Sequence, residues 1–338
     1  MSDSFTPRIG VVLEAFLDKP LADVLRWLQH EAPEVTDIEV GAGGYAPHPH
    51  CDVAALLASE RSRTAWLDQI AAHGLRVGAL NAWGNPLHPD AAIARQHDTD
   101  LRNAIRLATL LGVGRVVAMA GCPAAAPGDQ VPHFGAGGWL PYLEDVYERQ
   151  WQQAIEPYWA DLAAFAASQN PDLLVCLELH PGTSAFNVET FERVAGLGKS
   201  LAANLDPSHF FWMGMDGHKV AERLGGLVGH SHGKDTVFHT ESLALNGLLD
   251  RRWPKPPEQM PWNFTVPGRG HDLDWWTGLM RSLASSRVQV VSIEHEDPFV
   301  PPEVGIPEAA RLLKASIEAA QADRHAMQQA AQLEQRHM

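Results

Sequence analysis

Apolar positions along the chain fall into two alternating patterns. Short, nearly continuous apolar runs recur at "IGVVLEAF" (9–16), "DIEVGAG" (37–43), "RVGALNAW" (76–83), "RVVAMAG" (115–121), "LLVCLEL" (173–179), "LAANLD" (201–206), "LVGHSH" (227–232) and "VQVVSIEHE" (288–296). Runs of this length and composition predict strands buried on both faces. Between them lie longer stretches with apolar residues three and four apart, such as "PLADVLRWLQHEA", "AALLASERSRTAWLDQIAAHG", "DTDLRNAIRLATLLGVG" and "LEDVYERQWQQAIEPYWADLAAFAASQ". These predict helices, with Gly74 as one C-terminal stop. The order continues through "NVETFERVAGLG", "GHKVAERLGG", "DLDWWTGLMRSLASS" and "PEAARLLKASIEAAQADRHAMQQAAQ". Strand and helix alternating eight times predict an α/β fold, a (β/α)8 TIM barrel, because that count closes a parallel sheet on itself. No Gly-x-Gly-x-x-Gly follows the first strand, which disfavours a dinucleotide-binding sheet.

Two connections exceed what a barrel needs. Residues 122–141 and 233–271 are rich in Pro, Gly and Trp and read as long lid loops, the second as an ordered lid with Trp253 and Trp262 on an apolar inner surface. The expected organisation is one domain over 1–338, with the barrel at about 8–320 and a polar, Gln-rich helical extension at about 320–338. That long last helix offers a surface for a homodimer or homotetramer.

Composition then narrows the partners. A formal charge of −15 opposes nucleic acid and anionic membranes and favours a small molecule. No apolar run is long enough to span a bilayer, and "MSDSFTPRIG" lacks the order of a signal peptide, so a cytoplasmic protein is expected. Cys51, Cys122 and Cys176 form no C-x-x-C pair and read as reduced thiols, Cys176 as packing.

In a barrel, chemistry collects where strands end at the C-terminal face. Four late strands end in Glu178, Asp206, His232 and Glu294. Three carboxylates and one imidazole suit an oxygen-rich site for Mn²⁺, Mg²⁺, Co²⁺ or Zn²⁺ that leaves positions open to substrate oxygens. Each has a polar neighbour at short spacing. Pro207 stops the sixth strand so that the turn can return His209 to Asp206. Lys234 shares parity with His232, and Glu296 with Glu294. His180, two residues beyond Glu178, faces the substrate's rim. Aromatic residues Phe16, Trp83, Trp139, Phe210 and Trp212 are candidates to stack on an apolar face of a small substrate.

The motifs "CLELHPG", "ANLDPSHFFW", "HSHGKDT", "VPGRGHDLDWW" and "VSIEHEDP", with "EVGAGGYAPHPHCD" and "NAWGNPLHPD" before them, resemble the xylose-isomerase-like TIM-barrel superfamily, in its sugar phosphate isomerase/epimerase branch. The resemblance runs over about residues 8–320. It implies one divalent cation, Mn²⁺ first, on Glu178, Asp206, His232 and Glu294, with Glu178 and Glu294 exchanging protons with the reacting carbon. It also implies substrate contacts from His180, His209, Lys234 and Trp83, and from Arg269 and His271 reaching in from the lid. "GHD" departs from the pattern of many epimerases, which leaves the role of His271 open.

The implied reaction is isomerisation or epimerisation of a sugar or polyol, by proton abstraction next to a carbonyl through a metal-stabilised enediolate. The alternative is a dehydratase or lyase that eliminates a β-substituent from a keto-inositol or 3-keto-glycoside, with His271 or His239 as acid. A three-zinc DNA-repair nuclease is disfavoured, since Gly41–Gly44 and Asn81-Ala82-Trp83 stand where extra histidine ligands are needed. A barrel that binds sugar without turnover is the remaining reading. An acidic final strand end and the lack of a Gly-rich turn with a basic helix start predict a substrate without phosphate.

Overall fold

A computed structural model describes residues 5–45, 47–134, 140–249, 256 and 259–336 of the 338-residue chain. Eight parallel strands close a barrel: β1 (Arg8–Val12), β2 (Asp37–Gly44), β3 (Arg76–Trp83), β4 (Arg115–Met119), β5 (Leu174–Glu178), β6 (Leu201–Leu205), β7 (Val228–Gly233) and a final strand, β10 (Val290–Ile293), which pairs with both β7 and β1. This is the (β/α)8 TIM barrel that the alternation predicts, and β3 matches its sequence run residue for residue.

Side chains alternate across the barrel wall. Val175 and Leu177 of β5 point outward into the layer between sheet and helices, while Leu174 and Cys176 join Val12, Ala79, Trp83, Val117 and Ala202 in a separate inner core. Cys176 is therefore packing, two residues below Glu178. The outer layer is filled by helix stripes. In α4 (Ala91–Leu111), Leu101, Ala104, Ile105 and Ala108 are buried at helical spacing, capped by Asp90 at one end and by Gly112 with φ 71° at the other. Burying one Ile or Leu of such a stripe contributes about 1.5–3 kcal/mol, so a charge at Ile105 would break this contact.

The N-terminal mouth is plugged by polar groups from the strand starts. The Asp37 carboxylate accepts from Arg8 Nε at 2.9 Å and Arg76 Nε at 3.3 Å. Arg115 donates to the Gly229 and Arg287 carbonyls at 2.8 and 3.0 Å. The barrel floor is closed, which leaves the C-terminal mouth for ligands.

Several helices depart from the sequence expectation. The stretch expected as one helix before β3 is two, α2 (Val53–Ala58) and α3 (Glu60–Ala71), because the Ser59 hydroxyl caps the second by accepting from Ser62 N at 3.1 Å. The long helix before β5 is α5 (Pro141–Gln150), a π turn at Trp151–Ile155 and α6 (Glu156–Gln169). Pro157 carries no N–H, and the widened turn absorbs the lost bond, with Glu156 N bonding back to the Trp151 carbonyl.

Among its described residues the second lid holds a hairpin. Immediately after β7 the chain forms β8 (Asp235–Phe238), which pairs antiparallel with β9 (Trp262–Thr265), and α10 (Thr240–Asn246) lies between them. Trp262 is buried, as an apolar inner surface requires; Trp253 and Trp139 lie outside the described residues. The last helix, α12, runs Pro302–Arg336 and packs against α11 (Leu273–Ser282), including an ion pair between Arg281 and Asp323. Among the described residues, no helix is long and apolar enough to cross a membrane.

Candidate metal centre

The four predicted strand ends meet. Ligand atoms of Glu178, Asp206, His232 and Glu294 all lie within 4.8 Å of one another, and all four residues are buried. Strand parity and register explain the convergence. Glu178 is the last residue of β5, Asp206 follows β6, and Glu294 follows β10. His232 is in register with Ser292, the inward residue below Glu294.

Asp206 divides its two oxygens between folding and chemistry. Its Oδ1 caps α8 (Pro207–Met213) by accepting from Ser208 N at 2.9 Å, while Oδ2 faces the cluster, 3.0 Å from Lys234 Nζ. Glu178 Oε2 and Glu294 Oε2 are likewise buried and turned into the cluster, Glu294 Oε2 against the Lys234 ammonium. Three converging carboxylate oxygens of this kind are costly to bury unless a cation meets them. The donor set therefore fits a hard or borderline divalent ion.

Charge in the cluster is polarised by its neighbours. Burial pushes Glu178 upward and takes Glu294 up to about 7, despite the pull of Lys234 and His232. For Asp206 burial is outweighed by Lys234, His209 and His232, which hold it well below the usual carboxylate range. Burial also opposes charge on His232 and Lys234, yet the surrounding carboxylates hold both pKa values well above their ordinary range: Glu39 and Glu294 around His232, and Asp206, Glu294 and Glu296 around Lys234.

Lys234 occupies a different place from the substrate contact expected of it. Its ammonium sits among the carboxylates, 3.0 Å from Asp206 Oδ2, 2.5 Å from Glu294 Oε2 and 2.9 Å from Glu296 Oε2. Phe264 of β9 covers it, with the ring centroid 4.5 Å from Nζ. His209 is where the Pro207 turn should put it. Its Nε2 lies 2.9 Å from Glu178 Oε1 and 3.4 Å from Asp206 Oδ2, and burial lowers its pKa to about 4. His180 packs on His209 with ring centroids 4.3 Å apart, and its Nδ1 donates to the Pro181 carbonyl at 2.6 Å. Trp83 meets His232 edge-on at 5.9 Å.

Other predicted contacts are not brought to the cluster. Arg269 pairs with Glu308 of α12 at 2.8 Å. His271 donates from Nδ1 to Asp235 at 2.7 Å and stacks on Phe211 at 3.7 Å. Asp235 explains why: it also accepts from the backbone N–H groups of Gly268, Gly270 and His271, so "GRGHD" is folded around this carboxylate. Gly270 packs so closely that a Cβ there would stand 2.2 Å from the Thr236 carbonyl oxygen. Phe16 and Phe210 lie in the outer core, and Trp212 stacks on Trp262 at 4.8 Å.

Four neighbours of the cluster escape a reading of strand ends. Asn204, His230 and Ser292 each lie two residues before a ligand candidate, and Glu39 comes from β2 on the far side of the barrel. Glu39 Oε2 lies 2.8 Å from His230 Nε2, and Oε1 lies 3.3 Å from His232 Nε2. The signal was available in part, since a glutamate between Ile38 and Val40 in a buried strand needs partners. Glu14, just after β1, is a further acidic neighbour, pushed up to about 8 by burial and by the charges of Glu294, Glu39 and Glu296.

A parallel barrel carrying a three-carboxylate, one-histidine cluster at its C-terminal mouth defines the class as a (β/α)8 protein with a candidate divalent-metal centre. Residues 39–316 match the family described as xylose isomerase-like TIM barrel, and the chain belongs to that family. It is 32% identical over 314 residues to the uncharacterized protein YfiH of Bacillus subtilis, covering 92% of this chain and 99% of the relative. Its fold is similar to the probable 3-DHS dehydratase AsbF of Bacillus anthracis, with TM-score 0.61, 14% identity and coverage of 91% and 98% of the two chains. It is also similar to an L-ribulose 3-epimerase (TM-score 0.60, 14% identity, coverage 95% and 98%). A third, the IOLI protein with a bound zinc atom, has TM-score 0.58, 17% identity and coverage of 93% and 98%.

Proposed function

We propose that this chain is a divalent-metal-dependent sugar isomerase or epimerase that moves a proton next to a carbonyl. The observation that carries the reading is the pairing of two buried glutamates, Glu178 and Glu294, in one cluster with Asp206 and His232. When bound, a divalent ion supplies Lewis-acid polarisation of a carbonyl and its neighbouring hydroxyl. The chain's own residues then handle protons. Glu178, held by His209, and Glu294, held by Lys234, serve as the acid/base pair. Phe264 and the hairpin above it limit water at the site.

The ionised carboxylates of Glu39 and Glu296 beside the cluster support a substrate without phosphate. Similarity to an L-ribulose 3-epimerase and to a D-tagatose 3-epimerase-like protein is in keeping with a free sugar. Elimination is the second reading, suggested by the likeness to a probable dehydratase. Of its two candidate acids, His271 donates from Nδ1 to Asp235 and His239 Nε2 lies 2.6 Å from Asn263 Oδ1, and neither is among the residues that meet in the cluster, which favours the first.

The test is chelator-stripped protein reloaded with Mn²⁺ and incubated with ketopentoses, ketohexoses and 3-keto-glycosides in D₂O, followed by NMR. Deuterium gain at the carbon beside the carbonyl without loss of a substituent is expected, and Glu178→Gln and Glu294→Gln should abolish it. Release of water or aglycone would replace the first reading with the second.

A further inference from the structure

We infer that Glu39 is the positioning residue of the metal centre: from the opposite wall of the barrel it fixes which nitrogen of His232 faces the cation. The inference rests on the divalent-metal reading above. It starts from an uncommon arrangement, in which one carboxylate at 0% exposure reaches two histidines of the same strand, His230 and His232, themselves at 1% and 0%. The two contacts use different oxygens. Glu39 Oε2 faces His230 Nε2 at 2.8 Å, and Oε1 faces His232 Nε2 at 3.3 Å. Asn81 of β3 donates its amide to the same Oε1 at 2.8 Å, and Ser292 Oγ lies 3.1 Å from His230 Nε2.

The chemistry of the groups decides the proton positions. A carboxylate within this network only accepts, so the nitrogens facing Glu39 are the ones that carry hydrogen. On His232 that assigns the proton to Nε2. The other nitrogen, Nδ1, faces the ligand candidates, 3.2 Å from Glu294 Oε2 and 3.8 Å from Glu178 Oε2, and without metal it carries a hydrogen by the same rule, the one a cation would displace. When the ring is neutral, Nδ1 is the lone pair available to a cation, and Glu39 holds it there. A histidine that donates its second N–H to a carboxylate is both oriented and made a stronger donor.

Glu39, His230 and His232 also come close enough to one another to suggest a second ion. Their hydrogen bonds argue against it, because both oxygens of Glu39 already accept from N–H groups. Asn81 and His230 instead act as the two supports that keep the carboxylate from turning. The whole support is drawn from β2, β3, β7 and β10, so it is as rigid as the barrel itself.

Two measurements decide. Mn²⁺ and Co²⁺ binding to the wild-type chain and to Glu39→Gln is followed by calorimetry and by the visible absorption of bound Co²⁺. A 10–100-fold weaker affinity and a shifted Co²⁺ band are expected for Glu39→Gln. Equal affinity and an identical band overturn the inference while the metal reading stands, whereas a wild-type chain that takes up neither ion overturns the metal reading itself. Long-range ¹H–¹⁵N NMR of the Zn²⁺-loaded wild-type chain does not depend on the variant folding. It should show the His232 proton on Nε2 and the ion on Nδ1, and ligation through Nε2 would sink the inference.

Discussion

The Lys234 ammonium stands 2.5 Å from Glu294 Oε2, inside the cluster of carboxylates that a divalent ion would occupy. Lys234 and the ion therefore offer the same service, positive charge for Asp206 and Glu294, and they differ in what they leave open. A lysine fills the space with a point charge; a metal ion adds coordination positions for substrate oxygens.

Replacing Lys234 by Met tests this overlap. Removing one partner of a buried ion pair costs about 3–5 kcal/mol because the other charge is left uncompensated. Lys234→Met should lose stability of that order in the presence of EDTA and recover most of it with saturating Mn²⁺. Thermal melts of both chains with and without metal give the answer, and an equal deficit in the two conditions would refute the idea.

How much of this was legible in the sequence follows from geometry. Glu178, Asp206, His232 and Glu294 could be read because each ends an apolar run, and the barrel's closure brings strand ends together without further information. Glu39 could not be placed from pattern alone, since its partner His230 is 191 residues away and nothing local fixes which strands face each other across the barrel. The lid hairpin was hidden for a similar reason. "DTVF" and "WNFT" are short, far apart in sequence and paired only through tertiary contact, so neither carries a turn signal of its own. His271 stands apart: its motif lies near the site, and its partner Asp235 is 36 residues away, so its place too depends on tertiary contact.

That assignment predicts a mild kinetic effect. His271→Gln should change turnover by less than about threefold, a factor worth under 1 kcal/mol in the barrier. Asp235→Ala should do more, because it releases the backbone N–H groups of residues 268, 270 and 271 together. Limited proteolysis should find the 266–272 segment cut faster in Asp235→Ala than in His271→Gln. A loss of turnover of 100-fold or more in His271→Gln would return the histidine to the chemistry.

Glu14 gives the protein a pH signature that needs no ligand. Its pKa is raised from 4.5 to about 8 by burial and by neighbouring carboxylates. A carboxyl with a raised folded pKa contributes stability that is fully present below the unfolded value and is lost as pH rises through the folded one. In metal-free protein, Glu14→Gln should match the wild type near pH 4.5 and become the more stable chain by pH 8. Denaturant unfolding across that window tests it, and a difference that does not grow with pH would refute the placement of Glu14 beside the cluster.

The metal dependence of stability can be separated from catalysis through Asp206. Its two oxygens have separate tasks, since Oδ1 caps α8 while Oδ2 faces the cluster beside Lys234. Asparagine is an equally good cap, so Asp206→Asn should retain the helix start and lose the charge that draws the cation. An ion that binds only the folded chain adds about 2.7 kcal/mol at 100 times its Kd. The wild-type melting temperature should rise with Mn²⁺ or Zn²⁺ accordingly, and that of Asp206→Asn should stay flat over the same range. A variant that still gains the full increment would show that the stabilising ion binds elsewhere, and with it the assignment of Asp206 as a ligand would fall.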